Sequence, residues 1–306
     1  MTDAVESVLD AHFTDYTVID RIHDVPPHEV CMVVVDDQRG VVKRNVGRTG
    51  RAGIEGAVID FVGEYTSAPV PEIFVRGEDF FVARWEEEAP SPDTETTVDT
   101  TWAEAAGRCL ARLHNQTAPS VDSYGMFELD GVELSIDTHA DWYEGACSFV
   151  RHYEPTLERY GHGDMATAVL KSFTEHPAIF DDVGEPVCCH GWATPEHVTV
   201  HDGNVTCMVD FEHAIAAPGE FDFWRTVFPT FGSLDNDAPQ AAFRAGYESV
   251  RPLPDGFERR RPLYELLNCV YFFESLYVQA QHTPAEEEAY ATRLRTNIEE
   301  LIAGFE

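Results

Sequence analysis

Between residues 188 and 225 the chain reads CCHGWATPEHVTVHDGNVTCMVDFEHAIAAPGEFDFWR, and Asp210 and Glu212 stand two apart at the end of its last apolar run. In extended backbone such side chains project to the same side, so two carboxylates there repel unless a cation lies between them. Two readings meet this: a divalent metal held by oxygen donors, or a solvated turn. Phosphoryl transfer uses the first, because it needs a divalent cation on carboxylate or amide oxygens, a lysine on nucleotide phosphates, and a base or positioning group beside the attacking hydroxyl. The chain has only two lysines, Lys43 and Lys171. Where arginine has so largely displaced lysine, a lysine kept in a strand-like run points to a task that a compact ammonium performs and a planar fork does not. The alternative is a strand residue with its ammonium in solvent.

The elements that would position these groups follow from periodicity. Val5, Val8, Leu9 and Phe13 recur at helical spacing, and strands are expected at 16–22 and 30–35 around a turn containing Pro26 and Pro27. Arg39-Gly40 is expected to close a turn into a third strand at 41–46, followed by a helix over 52–65 and strands near 72–75 and 79–85. This is a small sheet carrying one internal helix. Residues 86–99, EEEAPSPDTETTVD, are acidic and nearly free of large apolar side chains, which marks a connection between compact units. The chain therefore divides into 1–88, a linker at 89–99, and a mainly helical 100–306. Helices are expected near 100–115, 138–152, 155–174, 236–250, 258–280 and 283–302. Strands in this second part are expected only at 186–189, 198–200 and 205–209.

Composition narrows the setting. The 306 residues carry 55 acidic against 21 basic side chains, a formal charge of -34, with 43% hydrophobic residues to build cores. Such acidity reads as adaptation to concentrated salt, which screens the self-repulsion. Runs such as 86–88 and 286–288 then read as solvated faces, and nucleic-acid binding, which needs a basic footprint, is not expected. The acidic N-terminus does not read as a secretory signal, the apolar stretch 266–273 is broken by Glu274, and neither suggests membrane insertion, so a cytoplasmic protein is expected. Seven cysteines without a paired framework read as reduced, buried thiols; Cys188, Cys189 and His190 alternate faces on a strand and do not converge on a metal. Oligomeric state is not legible.

The order and spacing of His190, Gly191, Pro195, Asp210, Phe211 and Glu212 resemble the aminoglycoside phosphotransferase and choline kinase-like family, whose pattern is H-G-D-x-x-x-x-N followed by D-F-E or D-x-D. LARLH at 110–114, Tyr124-Gly125 followed by Trp142, and Asp222 are similar to further segments of it. The resemblance implies an α+β, two-lobed protein kinase-like fold, with a small antiparallel-sheet N-lobe and a larger, mainly helical C-lobe. It also implies ATP or another nucleoside triphosphate, a divalent cation (Mg or Mn), and transfer of the γ-phosphoryl group to a small-molecule hydroxyl. Lys43 on the third strand and Glu55 early in the next helix match the lysine that reaches phosphates and the carboxylate that fixes it. Asp210 is the first metal ligand implied, with Glu212 beside it.

Three positions depart from the pattern. Trp192 stands where the family has its catalytic aspartate, and indole cannot accept the hydroxyl proton; Glu196 and His190 are the nearest substitutes. His197 replaces the metal-binding asparagine, a nitrogen donor that manganese or zinc tolerates better than magnesium. The turn IHDVPPHEV has no glycine to let backbone amides close on phosphate. A nucleotide-binding protein without turnover, and a scaffold without a nucleotide site, therefore stand beside the kinase reading.

Overall fold

The computed structural model describes residues 4–305 apart from 48, 91–96, 233, 235 and 280, so the middle of the expected linker lies outside the described residues. Helix α1 (Ala4–His12) precedes strands β1 (Tyr16–Val25), β2 (His28–Val35) and β3 (Gln38–Asn45), then helix α2 (Ala52–Tyr65) and strands β4 (Ile73–Arg76) and β5 (Phe80–Arg84). The strands form one antiparallel sheet in the order β1-β2-β3-β5-β4. Strand alternation sorts its two faces. Cys31, Val33, Val35, Val42 and Val82 pack with Val5 and Leu9 of α1, whereas Phe81 and Ala83 join Val58, Ile59 and Val62 of α2 in the main core.

The β2–β3 turn is not at Arg39-Gly40. It is made by Asp36 and Asp37, both with positive φ (46° and 64°), so that Val35 pairs with Gln38. Asp tolerates the left-handed region, and two such residues give the hairpin turn that matches strand twist. Gly40 lies inside β3, where an added Cβ would stand 3.0 Å from the Ala83 carbonyl oxygen.

Helix α3 (Thr100–Thr117) starts at Asp99, whose side chain accepts the Trp102 N–H. After it come β6 (Gly125–Asp130), β7 (Glu133–Ile136), α4 (Trp142–Arg159), α5 (Gly163–Glu175), β8 (Pro186–Cys189), β9 (Val198–His201), β10 (Asn204–Met208), β11 (Ile215–Pro218), α6 (Gly219–Phe231), α7 (Ala238–Glu248), α8 (Phe257–Val278) and α9 (Pro284–Ala303). Three features correct the expectation. The hairpin β6–β7 and strand β11 join β8 in a four-stranded sheet, β7-β6-β11-β8. These strands are short, and Ile-Ala-Ala-Pro, buried throughout, carries no alternation to read. The break between α4 and α5 falls at Gly161 (φ 83°), not before Pro155, which the middle of α4 accommodates. Helix α6 follows β11 directly at Gly219, where no helix was expected.

All seven cysteines are free and buried. None of the described helices is long and apolar enough to cross a membrane. The result is a two-lobed, protein kinase-like α+β fold, and the segment after β10 meets Lys43 on β3, the central strand of the N-lobe sheet.

Candidate active site

The loop after β8 is fixed from beneath. Asp222, fully buried in the first turn of α6, accepts the N–H groups of His190 (2.7 Å) and Gly191 (2.9 Å) and the His114 Nε2–H (3.0 Å). Burial works against its charge, but the bonds from His114 and the loop hold its carboxyl below the usual range. Tyr247 donates to His114 Nδ1 at 2.8 Å and so sets that ring's tautomer. Gly191 has φ 83°, and a Cβ there would lie 2.0 Å from the His213 carbonyl oxygen, so only glycine fits. His190 is completely buried; its Nε2 donates to Val209 O (3.0 Å) and its Nδ1 accepts the Trp192 N–H (3.2 Å). Burial pushes it down to about 4, leaving a neutral ring with both nitrogens engaged. His190 is therefore an anchor of the loop and offers no free nitrogen for a base.

Trp192 rests on a buried arginine that sequence reasoning did not single out. The Arg225 guanidinium lies 5.3 Å from the Trp192 ring centroid and 4.1 Å from that of Tyr271. It donates to Gly191 O and to Asn268 Oδ1, and no carboxylate among the described residues pairs with it. The indole Nε1–H points to Glu196 Oε1 (2.8 Å), which also accepts from Thr194 Oγ1 (3.1 Å). Glu196 is thus tied to its own loop.

The two lobes meet in an acid cluster around one cation. Lys43 Nζ, on β3, lies 2.7 Å from Glu55 Oε2 on α2, 2.9 Å from Asp210 Oδ1 and 3.2 Å from Glu212 Oε2. The lysine is 9% exposed; burial opposes its charge, but the three carboxylates hold its pKa well above the ordinary value. Asp210 and Glu212 are both held low despite burial, chiefly by Lys43, whereas burial pushes Glu55 up to about 8 against the same lysine. Asp210 does not continue the strand: its φ is 65°, and this left-handed turn aims both acids at Lys43.

Three histidines complete the charge pattern. His197 Nε2 lies 3.2 Å from Asp210 Oδ2 while its Nδ1 lies 3.0 Å from the Trp192 carbonyl oxygen. Burial would lower His197, but the Asp210 carboxylate and these acceptors raise it to about 9. As placed, both ring nitrogens face oxygen acceptors, an arrangement that favours the protonated ring. His28 Nδ1 (3.2 Å) and His213 Nε2 (3.1 Å) flank Glu212; neither was expected, His28 because it comes from β2 and His213 because it is a single histidine next to the acid pair. The carboxylate oxygens of Glu55, Asp210 and Glu212 lie within 4.8 Å of one another, a donor set that suits a hard divalent cation.

Beside Glu212 and His213 opens a cleft of about 670 Å³ between the lobes, walled by Arg51, Phe127, His152, Tyr153, Tyr271 and Glu274 among others. A sequence profile of the phosphotransferase enzyme family matches residues 29–263. The chain belongs to that family. A search of curated proteins finds no match. Solved structures share the fold along the whole chain. A candidate fructosamine-3-kinase from Thermobifida fusca superposes with a TM-score of 0.71 at 18% identity, covering 99% of each chain. A thermostable mutant of aminoglycoside phosphotransferase APH(4)-Ia in its apo form gives 0.70 at 13% identity, covering 98% of each. A complex of that phosphotransferase mutant with ADP and hygromycin B gives 0.64 at 13%, covering 99% of this chain and 98% of the other.

Proposed function

We propose that this phosphotransferase-family chain binds ATP or a related nucleoside triphosphate with Mg or Mn and transfers its γ-phosphoryl group to the hydroxyl of a small molecule held in the interlobe cleft. The observation that carries the reading is the convergence of Lys43, Glu55, Asp210 and Glu212 from both lobes within 3.2 Å of one ammonium. In this reading Lys43 and Glu55 serve the nucleotide, the lobes divide in the acidic segment 89–99, and the acid-rich surface keeps the protein soluble in concentrated salt. Asp210 and Glu212 would hold the divalent cation, which supplies neutralisation of phosphate charge. Lys43 has three N–H donors and three carboxylates around it, so a phosphate oxygen gains its ammonium by displacing one of them. Glu55, pushed up to about 8, is the partner that releases it at least cost, by taking a proton.

Phosphoryl transfer through a loose transition state depends mainly on positioning and on charge stabilisation. Without a base at Trp192, transfer should be slower by about 10²- to 10⁴-fold than with one. That same residue favours a second reading, in which nucleotide is bound and not turned over. Thermal unfolding with ATP and either MgCl2 or MnCl2 tests the first step. A ligand at one hundred times its Kd stabilises the folded state by about 2.7 kcal/mol. The expected result is a cation-dependent upward shift that the Asp210→Asn variant loses. No shift with either cation would remove both readings, and a shift without phosphate transfer to any hydroxyl acceptor would leave the second.

A further inference from the structure

Arg51, the residue before α2, is half-buried and lines the cleft, where Glu212, Glu128 and Glu274 favour its charge from beyond ion-pair distance. One Nη2–H donates to the Phe127 carbonyl oxygen (3.0 Å), but Nε is buried without a partner and no carboxylate among the described residues pairs with the guanidinium. This is unexpected in a chain with 55 acidic and 21 basic residues, where most buried or half-buried arginines, such as Arg44 and Arg260, are matched to a carboxylate. Burying a donor without an acceptor is costly, and more so for a charged one. A ligand in the cleft would bring acceptors to the Nη groups of the same guanidinium.

The acids on the same walls act on Arg51 only from beyond ion-pair distance. Glu212 is held by Lys43, His28 and His213. Asp137 accepts from Ser148 Oγ (2.9 Å) and pairs with His139 (3.0 Å). Glu274 is pushed up by burial toward its neutral form and faces Thr156 Oγ1 at 3.4 Å. Glu128 is exposed. On α4, Arg151 and His152 also line the cleft, and Arg151 is exposed with no ion pair among the described residues. Desolvation by the surrounding walls and the charge of Arg51 hold the exposed His152 down, at about 4.

We infer that Arg51, supported by Arg151, is an anion-binding subsite of the cleft, and that the hydroxyl-bearing molecule taken there carries a carboxylate or a phosphate group. The inference rests on the cleft being the acceptor site, as proposed above. The Nη donors of a planar guanidinium that lines the cleft can meet a carboxylate or a phosphate, and they recognise both by charge-assisted hydrogen bonds.

The test uses the full-length protein at constant ionic strength and matched probes: gluconate against glucitol, glycerol 3-phosphate against glycerol, and glucosamine as a cationic counterpart, each titrated calorimetrically without nucleotide. Either anionic probe is expected to bind at least about tenfold more tightly than its neutral partner, the effect of one charge-assisted contact. Which of the two is preferred separates carboxylate from phosphate. Arg51→Gln should abolish the preference and Arg51→Lys, which keeps the charge and loses the fork, should reduce it several-fold; Arg151→Gln serves if the position 51 variants do not fold. Equal binding of charged and neutral probes, tighter binding of glucosamine, or an Arg51→Gln variant that keeps the preference each overturns the inference. An ATP-induced thermal shift measured on the same samples keeps the two proposals apart. Its presence without anion preference leaves the phosphotransfer reading standing alone, and anion preference without it leaves the subsite standing alone.

Discussion

Replacing Lys43 by Met keeps a stem of similar length on β3 and removes the only lysine from a site where Glu55, Asp210 and Glu212 lie at 2.7, 2.9 and 3.2 Å. Deleting one partner of a buried ionic group typically costs about 3–5 kcal/mol, because the charge left behind is uncompensated. Here three carboxylates are left behind, and they can escape the cost by binding protons. With lysine present, Asp210 and Glu212 are held below the usual range; without it, burial and mutual repulsion become the dominant influences and both must rise. The folded variant then binds more protons than its unfolded chain above the ordinary carboxylate pKa, so its stability falls as pH rises. The destabilisation should therefore be about 1–3 kcal/mol near pH 5, where the acids can be neutral but lack hydrogen-bond donors, and reach about 3–5 kcal/mol by pH 8.

Urea unfolding of the wild type and Lys43→Met, followed by circular dichroism at pH 5, 6.5 and 8, measures this directly. Added MnCl2 should stabilise the variant more than the wild type at pH 8, because the ammonium no longer competes for the same oxygens. High salt should not abolish the effect, since screening acts mainly on exposed charges and Lys43 is 9% exposed. A variant as stable as the wild type at pH 8, or one whose penalty shrinks as pH rises, would refute the claim that this lysine neutralises the acid cluster.

Other substitutions test the remaining parts. Trp192→Asp places a carboxylate beside the buried Arg225 guanidinium, which would keep it ionised, and should raise phosphate transfer by about 10²- to 10⁴-fold in an ATP-consumption assay. His197 gains stability from Asp210 that is fully present below its unfolded pKa of 6.5 and is lost as pH rises through about 9, a contribution of about 3 kcal/mol. His197→Asn should therefore flatten the alkaline limb of the stability curve between pH 6.5 and 9, as read from urea midpoints. Asp222→Asn replaces an acceptor of three N–H groups at 2.7, 2.9 and 3.0 Å by an amide with one oxygen, and should lower stability by about 3–5 kcal/mol while abolishing any ATP-induced thermal shift.

The parts of this site that could be read in the sequence are those whose chemistry is fixed by local spacing. Asp210 and Glu212 announce themselves as a pair, and Lys43 stands out because the chain keeps so few lysines. Arg225, Arg51, His28 and His213 give no such signal: each is one residue of an ordinary type, brought to the site by α6, the start of α2, the edge of β2 and the turn after β10. Their meaning lies in what they face. Arg225 shows why. In sequence it is an unremarked arginine 33 positions after Trp192 (225 − 192), and in the fold it lies under the indole and donates to Gly191 O. A carboxylate at position 192 could pair with that guanidinium as an ion pair; with tryptophan there, the arginine is satisfied by Tyr271, the indole face and backbone and amide oxygens. The same exchange occurs one loop further on, where an asparagine oxygen would offer a lone pair and His197 instead offers two donors to Asp210 and Trp192 O. The two departures thus act in one direction. On the proposed reading each replaces a group that would accept a metal or a proton, and Lys43 and His197 supply the acid cluster with positive charge from within the protein. On the proposed reading, a divalent cation would enter this site by exchange, and its affinity should depend on how readily Lys43 and His197 give up Asp210.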